Sequence, residues 1–230
     1  MRDVDRVLIE RFGGEHTGPD PIRLRISRWN LPHLWREMGY TVGAEIGVSK
    51  GQFSRRICRC LKGGKLFAID AWLAYPGYAE RKGAIGQRTL DRHYAEALGR
   101  LAPFNCQVVR ALSVEAAEQF APASLDFVFI DGNHTFEYVV QDIATWEPKV
   151  RPGGMVCGHD YWNSAEGFGR EQLPIEQFVK GLTELEKVKV CQGKDAIDAW
   201  THTNFITPWY VTGDDDQSSW FYIKGEEPCQ

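Results

Sequence analysis

Residues 41–51 read TVGAEIGVSKG and join a short apolar run to the helical pattern QFSRRI at 52–57. Gly47 and Gly51 lack a Cβ, so the backbone can turn sharply there and approach a ligand closely. The start of the helix behind the turn leaves N–H groups free to bind a polar or anionic group. The stretch therefore predicts a strand, a tight turn and a helix that together bind a ligand.

The spacing of this turn distinguishes between two classes of cofactor. A dinucleotide-binding turn has the pattern Gly-x-Gly-x-x-Gly, but Ser49 stands where its second glycine would be. The pattern that is present, from Glu45 through Gly47 to Gly51, is Glu-x-Gly-x-x-x-Gly. It resembles the first motif of the class I S-adenosylmethionine-dependent methyltransferases. A nicotinamide-dependent oxidoreductase on a similar sheet is the alternative enzyme class, and the serine counts against it.

From residue 42 onward the chain alternates between short apolar runs and helical patterns. The apolar runs are continuous, as in LDFVFI at 125–130, which favours a parallel sheet covered on both faces. Two β-rich runs at 205–211 and 220–224 flank the sequence GDDD and predict an antiparallel hairpin. The predicted fold is therefore α/β, with a doubly wound, mostly parallel seven-stranded sheet that ends in this hairpin. The other predicted strands are 42–46, 65–70, 106–110 and 154–158, and the predicted helices are 52–61, 88–101, 114–119, 136–147 and 174–185.

Residues 1–40 precede the first core strand and are predicted as a helical leader, with helices at 3–12 and 29–38. We expect this leader to lie outside the core sheet, as a lid, an interface or packing, and residues 41–230 to form the methyltransferase-like domain. Its arginines make the leader locally basic, which is typical of a solvated surface but would also suit an anionic acceptor such as a phosphorylated or carboxylated sugar. They are Arg23, Arg25, Arg28 and Arg36.

Composition and charge argue against several classes of protein. A formal net charge of −4 gives no support for nucleic-acid binding, which usually shows as a basic stripe. No apolar run approaches the length of a membrane span, and the N-terminus MRDVDR is too charged for a signal peptide, so we expect a cytoplasmic protein. The six cysteines lack zinc-site spacing and are interpreted as reduced side chains. The eight tryptophans indicate an aromatic core or a subunit interface, which leaves a homo-oligomer open.

Acidic residues end four of the five predicted core strands: Glu45, Asp70, Asp131 and Asp160. The carboxyl ends of parallel strands meet at one edge of the sheet, which is where α/β folds bind ligands. Any one of these residues could instead cap the helix that follows it. Four at one edge indicate a site that uses carboxylates.

Three residues predict how an adenosine would be bound at this edge. Asp70 ends the second strand, where a carboxylate can accept hydrogen bonds from both ribose hydroxyls. Trp72 follows it and could pack on the adenine. The competing interpretation is that Trp72 only covers the edge of the hydrophobic core. Ser113 follows the third strand, where adenine contacts are expected.

The block from 125 to 161 gives the most specific resemblance. DGNHTFE at 131–137, RPGG at 151–154 and HD at 159–160 are similar to a bacterial methyltransferase family related to catechol, macrolide and sugar O-methyltransferases. The resemblance covers roughly residues 40–162. It implies S-adenosylmethionine as the cofactor, with the methionine end held by Glu45, Gly47 and Gly51, the ribose by Asp70, and Asp131 also against the cofactor.

The same resemblance implies a metal beside the acceptor. Catechol-type relatives bind Mg²⁺ through an aspartate that matches Asp131 and an Asp-Asn pair whose aspartate matches Asp160. The asparagine position is Tyr161 here, so His159 becomes the candidate third ligand. Oxygen ligands suit Mg²⁺, and a His–Asp–Asp set would also suit Mn²⁺ or Fe²⁺.

A histidine is the candidate general base. His134 lies three residues after Asp131, where catechol-type relatives carry a lysine, and an imidazole can take a proton near neutral pH. His134 could instead order its own loop, and His159 is the alternative base. The sequence leaves this choice open.

The leading hypothesis is an S-adenosylmethionine-dependent O-methyltransferase, metal-assisted, that acts on a small hydroxylated molecule. N-methylation stays open because the cofactor half does not identify the acceptor atom. Besides the oxidoreductase, the alternative is a non-catalytic protein that binds S-adenosylmethionine and lacks an acceptor site.

Overall fold

The strands of this chain form one mixed sheet in a computed structural model that describes residues 3–15, 21–75, 86–163, 191–214 and 218–225. The order across the sheet is β1-β2-β8-β9-β7-β6-β3-β4-β5. The strands are β1 Gly14–Glu15, β2 Ile22–Leu24, β3 Val42–Ile46, β4 Lys65–Asp70, β5 Cys106–Arg110, β6 Leu125–Ile130, β7 Val150–Gly158, β8 Tyr210–Thr212 and β9 Trp220–Ile223.

Helices separate most of these strands in the chain. The α-helices are α1 Asp3–Phe12, α2 Leu31–Glu37, α3 Gln52–Leu61, α4 Gln87–Leu101, α5 Ser113–Ala117, α6 Phe136–Trp146 and α7 Gly193–Thr203. Single 3₁₀ turns lie at Arg28–Asn30 and Glu147–Lys149. Among the described residues, no helix is both long enough and apolar enough to cross a bilayer.

Strands β7, β6, β3, β4 and β5 run parallel, whereas β9 is antiparallel to both β7 and β8. The predicted doubly wound, mostly parallel sheet with a C-terminal hairpin is thereby confirmed. Four predicted core strands have the predicted bounds, and the fifth begins at Val150 instead of 154. The first hairpin strand begins at Tyr210, because Phe205 is 89% exposed and lies outside the sheet.

Side chains of β6 alternate between the two faces of the sheet, and each face has its own helical cover. Phe127 and Phe129 pack with α2 and α3, and Phe127 stacks on Trp35 with 4.0 Å between ring centroids. Val128 and Ile130 pack with α6 on the opposite face. A fully buried side chain of this kind contributes about 1.5–3 kcal/mol, so the two apolar faces fix β6 between them.

The leader is part of the sheet, which corrects the expectation that residues 1–40 lie outside it. Strand β2 pairs in parallel with β8, and β1 pairs with β2, so the sheet has nine strands instead of seven. Ile22 and Leu24 supply the reason, because both side chains are buried in the core. The helix predicted at 3–12 is confirmed, while the one predicted at 29–38 divides into the 3₁₀ turn and α2. The helix predicted at 174–185 lies outside the described residues.

Candidate functional site

A cavity of about 670 Å³ opens at the carboxyl ends of β3, β4, β5 and β6. This volume lies within the range of pockets that hold a nucleoside-sized molecule. Its wall combines polar residues at strand ends with aromatic and aliphatic side chains. The polar residues include Ser49, Asp70, Ser113, Asp131, His134 and Asp142.

The turn after β3 forms one wall of this cavity. Its backbone conformation requires glycine at two positions. Gly47 has φ +90°, and a Cβ there would lie 2.0 Å from the carbonyl oxygen of Asp131. Gly51 has φ +71° and begins α3. Ser49, with φ +50°, also lines the cavity. Only a residue without a side chain lets β3 and β6 approach so closely at position 47, which brings the turn and Asp131 into one site.

Asp70 connects the turn to the end of β4 through both of its carboxylate oxygens. Its Oδ2 accepts a hydrogen bond from the Ser49 N–H at 2.8 Å, and its Oδ1 accepts one from the Trp72 N–H at 2.8 Å. Burial raises the pKa of Asp70, and these backbone donors oppose the rise. Each carboxylate oxygen keeps a second lone pair, so Asp70 can still accept hydrogen bonds from a ligand in the cavity.

Trp72 serves the scaffold as well as the cavity wall. It is 1% exposed, packs with Leu90 and Tyr94, and donates its indole N–H to the Ser49 carbonyl at 2.8 Å. Its backbone φ of +40° is unusual for a bulky residue, a strain that proteins often hold at functional sites. Trp72 therefore fixes the shape of the turn, and the predicted stacking on adenine stays a prediction.

Glu45 lies behind the turn and does not line the cavity. It is 1% exposed, and its Oε2 has no hydrogen-bond partner among the described residues. Burial raises its pKa well above the usual value. A buried carboxyl oxygen without a hydrogen bond is costly to the fold. Its contact with the methionine end of a cofactor stays a prediction.

Ser113 lies at the start of α5, at the opposite end of the cavity. Its Oγ accepts a hydrogen bond from the Trp146 indole at 2.8 Å, and its hydroxyl also hydrogen-bonds to Asp142. Asp142 is 5% exposed, and burial raises its pKa to about 6. Asp142 is not among the site residues predicted from the sequence. Its position on the apolar face of α6, between Val139 and Trp146, is the signal that would have identified it.

Two carboxylates and an imidazole meet where β6 and β7 end. One potential ligand atom each from Asp131, His134 and Asp160 lie within 4.8 Å of one another. His134 Nε2 is 3.0 Å from Asp160 Oδ2. Burial raises the pKa of Asp131 to about 6, and the nearby Asp160 carboxylate adds to this effect. Both Asp131 and His134 also line the cavity, so this cluster adjoins the space for a cofactor.

His159 lies behind this cluster. Its Nδ1 is 2.9 Å from Asp160 Oδ1 and 3.8 Å from Asp131 Oδ1, and its side chain is 7% exposed. Burial would lower the pKa of His159, but the two carboxylates outweigh it and the pKa lies above its usual value. His159 is the third metal ligand predicted from the sequence, whereas the ligand-like cluster in the structure contains His134 in its place.

The cluster suits a divalent cation. Carboxylate oxygens with one imidazole are a donor set for Mg²⁺, Mn²⁺ or Fe²⁺. Asp160 is 8% exposed, and its Oδ1 makes no hydrogen bond of good geometry among the described residues. The φ of +54° at Asp160 turns the chain as it leaves β7 and directs this carboxylate toward His134. A cation would satisfy the buried oxygen, so the residues fit a metal.

Arg28 comes to the same place from the leader. Its Nη1 lies 3.6 Å from Asp131 Oδ2, and its side chain is 27% exposed. From the sequence, Arg28 is only one of four arginines that make the leader locally basic. Nothing in the spacing of the leader predicts this contact, because it depends on β2 joining the sheet.

A glycine turn, a buried strand-end carboxylate and a carboxylate cluster thus lie together at the carboxyl edge of the parallel strands, where open α/β folds bind their ligands. The family model described as "Methyltransferase domain" matches residues 44–161, just over half of the chain. The chain therefore belongs to this family of methyltransferase domains. The predicted methyltransferase is confirmed at this level, and the oxidoreductase alternative is not supported.

Solved structures share the fold at low sequence identity. A Staphylococcus aureus protein described as a candidate caffeoyl-CoA O-methyltransferase has a TM-score of 0.59 and 16% identity, over 85% of this chain and 81% of that one. An O-methyltransferase from Bacillus cereus, in complex with SAH (S-adenosylhomocysteine), has a TM-score of 0.56 and 16% identity, over 86% and 82%. TomG, an O-methyltransferase from Streptomyces achromogenes in complex with SAM, has a TM-score of 0.51 and 19% identity, over 86% and 80%.

One curated relative has no described activity. It is the uncharacterized protein y4gI of Sinorhizobium fredii, which is 28% identical over 129 residues. The match covers 54% of this chain but only 14% of that much longer protein.

Proposed function

We propose that this protein is an S-adenosylmethionine-dependent O-methyltransferase that acts on a small hydroxylated molecule with the help of a divalent cation. One observation carries the proposal: Asp131 and His134 belong both to the cavity wall and to the carboxylate cluster. A cofactor in the cavity and an acceptor at the cluster would then be neighbours. The solved O-methyltransferases of the same fold, with SAH or SAM bound, support this choice of cofactor.

The cofactor would occupy the cavity with its ribose at Asp70 and its methionine end at the turn around Gly47. Asp70 is already oriented by two backbone N–H groups, so little rearrangement would be needed to bind the ribose hydroxyls. The chain's contribution to the reaction is then to hold methyl donor and acceptor in line, and proximity of this kind supplies much of the rate in a displacement.

Asp131, His134 and Asp160 would hold the metal, with Mg²⁺ or Mn²⁺ suited to the oxygen-rich set. A bound divalent cation would lower the pKa of an acceptor hydroxyl, so that it loses its proton near neutral pH. This preference for oxygen is why we propose an O-methyl product. His159 would position Asp160 through the 2.9 Å contact between its Nδ1 and Oδ1.

Two binding measurements and one assay test the proposal. Calorimetry should show that SAH binds and NADH does not, and Mn²⁺ should bind with a spectroscopic signature in electron paramagnetic resonance. Asp131→Asn and Asp160→Asn should each weaken Mn²⁺ binding, while the exposed Glu137→Gln, on the same segment, should not. Methyl transfer to a panel of phenols and catechols should fall in the presence of a strong chelator.

Each result bears on a separate part of the proposal. A protein that binds SAH but transfers no methyl group to any acceptor would match the non-catalytic alternative. Undiminished transfer with a chelator would remove the metal from the proposal. The predicted cytoplasmic location, a homo-oligomeric state and the absence of nucleic-acid partners stay predictions.

A further inference from the structure

One buried carboxyl faces the cavity without a role in the function proposed above. Asp142 is 5% exposed, yet it lines the cavity together with Ser113. Helical spacing places it on the inward face of α6, with Val139, Ile143 and Trp146, which are also buried. The helix therefore directs this carboxyl to the space between α6 and the carboxyl ends of the strands.

One oxygen of this carboxyl lies beside the turn that follows β6. Asp142 Oδ2 is 3.4 Å from the point that a Cβ of residue 132 would occupy, and Gly132 also lines the cavity. Because Gly132 has no side chain, it leaves space beside the oxygen. A ligand in the cavity can therefore approach Asp142 from that side.

Two neighbours fix the direction of the carboxyl. The Ser113 hydroxyl donates a hydrogen bond to Asp142, and Ser113 Oγ in turn accepts one from the Trp146 indole at 2.8 Å. A carboxylate offers roughly four acceptor positions, and the bond from Ser113 takes one of them. Asp142 can therefore accept further hydrogen bonds from a ligand, whereas the single hydroxyl proton of Ser113 is already used.

The proposed orientation of the cofactor brings its base to this end of the cavity. The ribose is assigned to Asp70 and the methionine end to the turn around Gly47. In S-adenosylmethionine the base and the methionine end are attached on opposite sides of the ribose. The adenine would therefore extend away from the turn, toward Ser113 and Asp142.

Adenine offers a carboxylate one suitable partner at its edge. Its exocyclic amine carries two N–H donors, whereas its unprotonated ring nitrogens are acceptors and would repel an ionised carboxylate. A hydrogen bond from the amine to a carboxylate is charge-assisted, and such bonds are roughly twice as strong as neutral ones.

We propose that Asp142 accepts a hydrogen bond from the exocyclic amine of the adenine, and so selects a cofactor that carries this donor. Asp142 is then a specificity-determining residue, and Ser113 is a positioning residue that orients it. The inference rests on the function proposed above, because it needs the ribose to lie at Asp70.

The test uses two ligands that differ only in the amine. SAH is compared with its 6-deamino analogue, in which a hydrogen atom replaces the amine and the ring nitrogens are kept. Calorimetry on the full-length protein measures both affinities at pH 8, where Asp142, with a pKa of about 6, is ionised. We expect the wild type to bind SAH about tenfold to a hundredfold more tightly than the analogue.

Two substitutions at position 142 assign that preference to the carboxylate. Asp142→Ala removes the acceptor and should bring the ratio of the two affinities to about one. Asp142→Asn keeps a neutral oxygen of the same shape and should retain only part of the ratio. The two ligands and the two side chains form a double-mutant cycle, which isolates the contact between the amine and Asp142.

Two further variants serve as the comparison. Glu118→Gln, on the exposed turn after α5, is the control and should leave the ratio unchanged. Glu115 is an exposed carboxylate that lines the same end of the cavity, so Glu115→Gln tests the rival partner for the amine. Circular dichroism and urea denaturation, measured on every variant, show that the fold is intact.

The outcomes separate this inference from the function on which it rests. If the wild type does not bind SAH, the proposed function fails, and this inference fails with it. If SAH binds and the deamino analogue binds equally well, only the assignment of Asp142 is overturned. A ratio that survives in Asp142→Ala, or that falls to one in Glu115→Gln, would also overturn it, because Asp142 would then only link α5 to α6 through Ser113.

Discussion

His134 Nε2 lies 3.0 Å from Asp160 Oδ2, although the first residue follows β6 and the second follows β7. The neighbouring parallel strands place their ends side by side, since Ile130 is paired with Gly158 in the sheet. The contact therefore follows from strand register, and it makes His134, at 20% exposure, the imidazole that faces both the carboxylates and the cavity.

This geometry predicts different effects for the two histidines on metal affinity. His134→Ala removes a ligand and should weaken Mn²⁺ binding by more than about a hundredfold, whereas His159→Ala disturbs only the support of Asp160 and should weaken it about tenfold to a hundredfold. The exposed His202→Ala, on α7, is the control and should have no effect. Titration with Mn²⁺, followed by electron paramagnetic resonance, gives the Mn²⁺ affinity of each variant and so the ratio of the two losses. A larger loss in His159→Ala than in His134→Ala would return His159 to the position of third ligand.

The glycine at position 47 should be irreplaceable for a steric reason. Gly47→Ala would place a Cβ 2.0 Å from the Asp131 carbonyl oxygen, and neither backbone can move without displacing the site. Gly63 provides a matched control, since its φ of +92° is close to the +90° of Gly47 but a Cβ there meets no atom within 4 Å. Gly63→Ala should cost about 1–2 kcal/mol of unfolding free energy, from the left-handed backbone alone.

Gly47→Ala should lower the unfolding free energy by at least about 3 kcal/mol, because overpacking adds to the backbone strain. It should also abolish SAH binding. Urea denaturation measures the first effect and calorimetry the second. Equal losses of stability in the two glycine variants would show that the clash relaxes and that the close approach of β3 to β6 is not essential.

Asp70→Asn, compared with Asp126→Asn, should separate ligand binding from scaffold support. At Asp70 the substitution removes the charge and replaces one of the two oxygens that accept backbone N–H bonds, so stability should fall and SAH affinity should fall about tenfold to a hundredfold. Asp126 is a natural comparison, because its Oδ2 also accepts two backbone N–H bonds, from Thr41 at 2.6 Å and Val42 at 2.8 Å, at the opposite end of the strands. Asp126→Asn should lower stability without a change in SAH affinity. Parallel losses of affinity in both variants would contradict the ribose assignment.

Asp142 should make stability depend on pH. Its pKa is about 6 in the folded protein against 3.8 for the free group, so the folded state holds an extra proton between these values. The buried carboxyl is tolerated in its protonated form, so the stability is fully present below about pH 4. It is lost as Asp142 ionises while the pH rises through about 6. Asp142→Asn should therefore gain stability over the wild type between pH 4 and pH 7, of the order of 3 kcal/mol.

Urea denaturation at a series of pH values measures this gain, with the exposed Glu118→Gln on the turn after α5 as the control. A variant that is less stable than the wild type at pH 7 would show that the ionised carboxylate of Asp142 has a favourable partner in the fold.

Much of the core could be predicted because its signals are local. Continuous apolar runs fixed β3, β4, β5 and β6 to the residue, and the turn residues around Gly47 fixed the strand-to-helix connection. The strand-end carboxylates were also predictable, since parallel strands bring their carboxyl ends to one edge.

What could not be predicted depends on contacts between distant segments or on side-chain direction. The sequence of the leader predicts helices and a basic surface. Ile22 and Leu24 nevertheless belong to a strand, because this segment pairs with β8 at the edge of the sheet. His159 and Asp160 are consecutive in the chain, and the sequence does not show that His159 lies at one carboxylate oxygen of Asp160 and His134 at the other. Helix α7, Gly193–Thr203, was not predicted, although its buried residues Ala196, Ile197 and Thr201 have helical spacing.

The pairing of Ile22 with Tyr210 has a consequence for the order in which the molecule is completed. During synthesis the strands β3 to β7 and the turn at Gly47 can assemble before β8 has emerged. Strand β2 must wait for β8, because its partner residues lie far downstream of it in the chain. A nascent chain can thus acquire its cofactor cavity early, while Arg28 takes its place only after β8 has been made.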